Sequence, residues 1–160
     1  MRQSLVFITI SMVLAACAPI PDRAGATSAP PTPVATQPVC QPSLAQPSNN
    51  GFPDIRATMK SAGEIWALMF FDQAQANKDE KIVWRVAGTG KQFDIYAQHE
   101  DGTIIHPIWG PEYHGSSNWE RPGDEWGTGF NFPKPGCWTL TLTLGATTGE
   151  IRLEVLAPDA

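Results

Sequence analysis

Pro135-Gly136-Cys137-Trp138-Thr139-Leu140-Thr141-Leu142-Thr143-Leu144 alternates polar and apolar residues without a break from Trp138 onward. After a turn at 145–149 the alternation resumes in Glu150-Ile151-Arg152-Leu153-Glu154-Val155-Leu156. A period of two puts successive side chains on opposite faces of a strand. The two segments therefore predict the last hairpin of an antiparallel sheet that is buried on one face. Working upstream, Thr128-Gly129-Phe130-Asn131-Phe132 reads as a short strand, followed by a turn at 133–136. Asp101-Gly102 is a strong hairpin signal between the alternating run 92–98 and the run 103–109, with Pro107 marking an edge or a strand end. Lys81-Ile82-Val83-Trp84-Arg85-Val86 and Glu64-Ile65-Trp66-Ala67-Leu68-Met69-Phe70-Phe71 complete the pattern. Residues 73–78 are the most helix-like segment and read as a loop. Lys78-Asp79-Glu80-Lys81 reads as a solvated turn.

Short strands punctuated by turns about every ten residues mean an all-β protein, an antiparallel β-sandwich of about seven strands. Trp66, Trp84 and Trp138 read as core. The Pro-Gly-Cys-Trp start of the penultimate strand and the final hairpin resemble the end of bacterial immunoglobulin-like domains, which implies an immunoglobulin-like fold.

At the other end of the 160-residue chain, Arg2 precedes the apolar run Leu5-Val6-Phe7-Ile8-Thr9-Ile10-Ser11-Met12-Val13, and Leu14-Ala15-Ala16-Cys17 closes it. A charged start, a short apolar core and a small-residue cleavage site predict an export signal over residues 1–16. The run falls short of the ~20 residues that cross a bilayer. Leu-Ala-Ala-Cys resembles the lipobox of bacterial lipoproteins. That resemblance implies a lipid, such as diacylglycerol and palmitate, on Cys17, cleavage ahead of it, and an extracytoplasmic protein held in the cell envelope by its N-terminal lipid. Residues 17–38 are rich in Pro, Ala and Thr and predict an extended tether, reaching ~50 Å at ~3 Å per residue. The domain then occupies 39–160, with 39–54 expected to lie irregularly over it.

With Cys17 lipidated, Cys40 and Cys137 are an even pair in an exported protein and read as a disulfide. Two free buried thiols are the alternative. A bridge closing roughly 97 residues stabilises by up to ~4.7 kcal/mol in the chain-entropy picture. The lipobox, the Pro/Thr-rich tether, the early Cys40 and the late Gly136-Cys137-Trp138 together resemble uncharacterised bacterial cell-surface lipoproteins with an immunoglobulin-like domain. That family implies the fold and the disulfide and brings no activity with it.

The formal net charge is −5. An acidic domain lacks a general attraction for phosphate, which argues against nucleic acid as a partner, and attachment to lipid falls to the acyl chains.

Chemistry concentrates in the Gly/Pro/Trp-rich stretch 109–127, expected to be one long loop. It carries Trp109, Trp119 and Trp126 beside Glu112, Tyr113 and His114, with Arg121, Asp124 and Glu125 following. Exposed indoles among carboxylates and a guanidinium suit a carbohydrate, peptide or protein ligand. The competing reading is that the aromatic residues pack the loop's own small core. In that reading Arg121 pairs with Asp124 or Glu125, or lies on a Trp face.

His99, His106 and His114, all within sixteen positions, are an alternative metal site for zinc or copper, though without the spacing of a known ligand motif. Catalysis has weaker support. Glu112 with Glu125 or Asp124 is a possible acid–base pair, but Ser116-Ser117 beside His114 lacks a nucleophile elbow. The sequence therefore predicts a non-enzymatic binding or interaction module without a cofactor, with an extracytoplasmic metal-binding accessory protein as the second choice.

Overall fold

The computed structural model describes residues 39–115 and 117–158. Residues 1–16, expected as an export signal, and 17–38, expected as a tether beginning at Cys17, lie outside the described residues. The strands in chain order are β1 (Ala45–Pro47), β2 (Pro53–Arg56), β3 (Thr58–Met59), β4 (Glu64–Met69), β5 (Asp79–Ala87), β6 (Phe93–His99), β7 (Ile104–Ile105), β8 (Trp109–Tyr113), β9 (Asp124–Asn131), β10 (Gly136–Leu144) and β11 (Thr147–Val155). Among the described residues there is no helix.

The strands form two antiparallel sheets, ordered β1-β2-β4-β5-β9-β8 and β3-β11-β10-β6-β7. Lettering β4 to β11 from A, with β7 as C′, gives A-B-E-D in the first sheet and G-F-C-C′ in the second. This is the strand order of an immunoglobulin-like sandwich. β1 and β2 extend the first sheet beyond its A strand, and β3 adds to the second beside β11, so there are more strands than the seven or so expected.

The final hairpin holds the register its alternation predicts, Gly136↔Val155 through Leu144↔Thr147. Trp138, Leu140, Leu142 and Leu144 turn inward, joined by Ile151, Leu153 and Val155. They meet Ile65, Ala67, Ile82, Trp84 and Phe130 of the first sheet. Each such side chain stabilises by roughly 1.5–3 kcal/mol when fully buried. The buried indoles keep their polar atoms paired: Trp84 Nε1 donates to Thr128 Oγ1 at 2.9 Å, and Trp138 Nε1 to the Lys134 carbonyl at 3.1 Å.

Cys40 and Cys137 form a disulfide with Cα atoms 5.3 Å apart. Cys137 has the opposite parity to Trp138, so the bridge sits on the outer face of the second sheet. It ties the segment before β1 to β10, whereas the immunoglobulin disulfide joins the two sheets.

Several sequence expectations change. Residues 39–54 are not wholly irregular, because β1 and β2 pair there (Ala45↔Ile55). The run 103–109 is not one strand: β7 belongs to the second sheet, and the chain crosses through Pro107 to start β8 in the first. Residues 78–81 are not a solvated turn. β5 begins at Asp79, and Glu80 faces inward and is buried.

The largest change concerns 109–127. Its ends are strands, β8 and the start of β9, and only 114–123 is a connection. That connection runs as a strap over the outer face of the first sheet.

Candidate functional site

β4 is buried on both faces. Ile65, Ala67 and Met69 enter the main core, whereas Trp66 and Leu68 point outward and join Val83 of β5 and Trp119 of the strap in a second cluster. Trp66, expected in the main core, thus packs beneath the strap. A two-sided apolar strand needs a cover on each side, and here the strap is the outer one.

Polar contacts hold the strap at both of its sides. Arg121 reaches β2, donating from Nε and Nη2 to Asp54 Oδ2 at 2.9 and 2.6 Å, while its guanidinium lies 4.1 Å from the Trp66 ring centroid. Arg121 therefore pairs with neither Asp124 nor Glu125. Arg85 of β5 forms a buried ion pair with Glu125 of β9 at 3.0 Å and donates to the Gly123 and Ser117 carbonyls. Ser117 Oγ in turn donates to Glu125 Oε2. Gly123 has φ 96°, and a Cβ there would lie 2.2 Å from Val86 backbone atoms, so the strap can leave β9 this closely only at glycine.

At the other edge, Trp109 lies across β9. A Cβ on Gly129 would meet Trp109 Nε1 at 1.9 Å. The indole therefore occupies the space of the absent side chain. A register shift between Trp109 and Glu112 sends Tyr113 to the opposite side of the sheet. There it meets Trp126 edge to face at 5.2 Å, and Trp126 packs on Phe93 in the main core.

The nine candidate residues thus divide. Trp109, His114, Trp119, Arg121 and Glu125 share the outer face of the first sheet. Tyr113 and Trp126 belong to its other side. Glu112 and Asp124 are exposed. Trp119 and Trp126 are buried, and only Trp109 keeps part of its ring in solvent. The indoles are therefore largely packing.

An open groove of about 360 Å³ remains beside the strap. Leu68 and Val83 form its floor, and Ser117, Asn118 and Trp119 form one wall. Asn50 and Phe52, from the β1–β2 connection, form the other. At one end Phe52 stacks on Phe70 with ring centroids 4.6 Å apart, and the two are 37% and 38% exposed. Lys81 Nζ sits 4.5 Å from the Phe70 centroid. At the other end His114 Nδ1 lies 3.8 Å from Glu125 Oε1.

Buried polar atoms without a hydrogen-bond partner among the described residues gather here. Asn50 Nδ2, Asp54 Oδ1, Arg85 Nε and Trp119 Nε1 all border this face, and Trp126 Nε1 is the fifth. A buried donor or acceptor without a partner costs about 1–3 kcal/mol.

The three histidines do not assemble into one site. His99 is buried at the end of β6 against Trp138, with Nδ1 2.8 Å from Asp101 Oδ1 and Nε2 3.1 Å from the Pro135 carbonyl oxygen. Asp101 is held well below the usual carboxylate range, chiefly by a hydrogen bond from Lys134. His106 lies near Tyr96, and His114 belongs to the groove. Among the described residues no group of three or more His, Cys, Asp or Glu side chains is placed to hold a metal ion.

Sequence reasoning missed Asn50, Phe52, Asp54, Phe70, Lys81 and Arg85. One signal pointed to them. The run from Ile65 to Phe71 is apolar on both parities, so something had to cover its outer side. No protein-family model matches the chain, and no curated protein matches it in sequence.

Proposed function

We propose that this protein is a lipid-anchored, extracytoplasmic and non-enzymatic binding module of the cell envelope. The immunoglobulin-like domain presents the strap-side groove to a ligand at the end of its tether. The observation that supports this most is the groove itself. An exposed Phe52–Phe70 pair stands at one end and polar side chains at the other, with unpartnered donors in both walls. An apolar surface with a few convergent polar groups is the general profile of a ligand site. Glu125, the carboxylate lining the groove, is engaged by Arg85 and Ser117, an arrangement that fits holding the strap better than transferring protons.

The test titrates full-length protein in detergent with envelope polysaccharide fragments and with envelope peptides, following tryptophan fluorescence. Of the six tryptophans Trp119 lines the groove, and a response that Trp119→Phe removes assigns the signal to it. Saturable binding that Phe70→Ala weakens supports the reading. No saturable change with either class, or binding indifferent to Phe70→Ala, overturns it. Labelled palmitate incorporation that Cys17→Ser abolishes supports the anchor, and incorporation that survives the substitution refutes it.

A further inference from the structure

We infer that the groove recognises a sugar ring bearing a single carboxylate, as in a uronic acid unit. This inference rests on the groove being a ligand site and concerns what chemistry fits it.

Charge supplies the first argument. Glu125 is neutralised by Arg85 within 3.0 Å. Lys81, exposed at the opposite end, makes no ion pair among the described residues. Among the described residues its ammonium meets the face of Phe70. The groove of an acidic protein therefore carries one uncompensated cation, which complements one negative charge on the ligand.

Hydrogen-bonding capacity supplies the second. Asn50 Nδ2 and Trp119 Nε1 are donors without acceptors, buried at the walls. Glu125 Oε2 is engaged by Arg85 and Ser117, and the Ser117 and Gly123 carbonyls by Arg85, while Glu125 Oε1 has only His114 Nδ1 near it, at 3.8 Å. The groove thus offers two buried donors in want of an acceptor. Sugar hydroxyls accept as well as donate, and a carboxylate only accepts. A ligand oxygen that draws either buried donor into the groove recovers part of its burial cost.

Shape supplies the third. Phe52 and Phe70 offer an apolar surface flanked by Leu68 and Val83. One face of a pyranose ring is lined by C–H groups and can lie on such a surface, leaving its hydroxyls and carboxylate at the rim, where Lys81 and the Asn118 amide stand. A volume of about 360 Å³ suits one ring at a time.

The experiment uses full-length protein in detergent, with oligogalacturonate and its carboxyl-reduced, neutral counterpart as probes at low ionic strength. The expected result is binding of the acidic oligomer about tenfold tighter than the neutral one, the factor a charge-assisted contact supplies. Lys81→Met keeps the side chain's stem over Phe70 and should erase that preference. Phe70→Ala should weaken both probes. Thermal melts of each variant establish that it is folded.

Equal binding of the two probes, or a preference that survives Lys81→Met, overturns the carboxylate assignment and leaves the groove reading standing. Phe70-dependent binding of envelope peptides with no binding of either sugar overturns the sugar class alone. Sugar binding unaffected by Phe70→Ala removes the groove from both readings.

Discussion

Arg121 and Asp54 stand 67 positions apart in sequence, yet the Arg121 guanidinium contacts Asp54 Oδ2 from two nitrogens, Nε at 2.9 Å and Nη2 at 2.6 Å. Asp54 is fully buried, and its Oδ1 has no partner among the described residues. Arg121 is thus the group that compensates this carboxylate, and the strap cannot leave the sheet without stranding it. Trp66 beneath the guanidinium adds a cation–π contact.

Arg121→Ala is therefore expected to be costly. Breaking a buried pair by removing one partner costs about 3–5 kcal/mol, and the partial exposure of Arg121 places this case near ~3 kcal/mol. The double variant Asp54→Leu/Arg121→Met removes both charges and should recover most of the loss. Urea unfolding of the two single variants and the double measures the coupling directly. Additive losses would show that the two residues do not depend on each other.

Gly129→Ala tests the seating of Trp109. The new methyl would fall 1.9 Å from Trp109 Nε1, so the indole must move off β9. A loss of about 1–3 kcal/mol is expected, in the range of overpacking, with a red shift in tryptophan emission as Trp109 enters water. Unchanged emission and an unchanged melting temperature would mean that the ring does not rest there.

Much of the sandwich is legible in the sequence because most of its strands carry a period of two. The hairpin of β10 and β11 is the clearest case, since Trp138 to Leu144 states one buried face. The strap is legible only as an unusual composition. Trp119, Arg121 and Glu125 stand out by type, but Asp54, Lys81 and Phe70 are ordinary residues until tertiary pairing places them opposite. β8 escaped notice because Gly110 and Pro111 mark a loop by composition, while its pairing with β9 overrides that signal. β1 and β2 are short edge strands containing proline, which local pattern cannot separate from irregular chain.

Glu80 gives a pH prediction. It faces inward from β5, and Oε1 accepts from the Gln75 amide at 3.3 Å. Burial raises its carboxyl pKa above the ordinary 4.5, with Asp79 adding to the rise and Gln75 and Lys78 opposing it. The native state thus favours the protonated form. Its contribution to stability is complete below about pH 4.5 and is lost as pH rises through the folded value. Glu80→Gln keeps an acceptor and cannot ionise. It should melt higher than the parent at neutral pH, with a gap that closes in acid. A gap that is constant with pH would assign the effect to packing.

The disulfide makes the final prediction. Because Cys137 points away from the core, the bridge does not hold the sheets together. It fastens the chain ahead of β1 to β10. That segment has a second attachment: Ser43 donates its amide to the Arg152 carbonyl at 2.9 Å, and Ser43 Oγ accepts from the Arg152 amide at 3.0 Å. Replacing both cysteines by serine should cost about 2–4 kcal/mol, below the chain-entropy limit. Hydrogen exchange should locate the change. The Ser43 amide and the β1 amides should lose protection by local opening, while those of β10 and β11 should fall only as far as global stability does. Uniform loss across β10 would instead make the bridge a core staple. A local loss has a functional corollary. Phe52 and Asn50 lie on the connection between β1 and β2, so a bridge that keeps β1 in place also keeps one wall of the groove. Ligand binding should therefore weaken in the variant without the disulfide even under conditions where the domain stays folded.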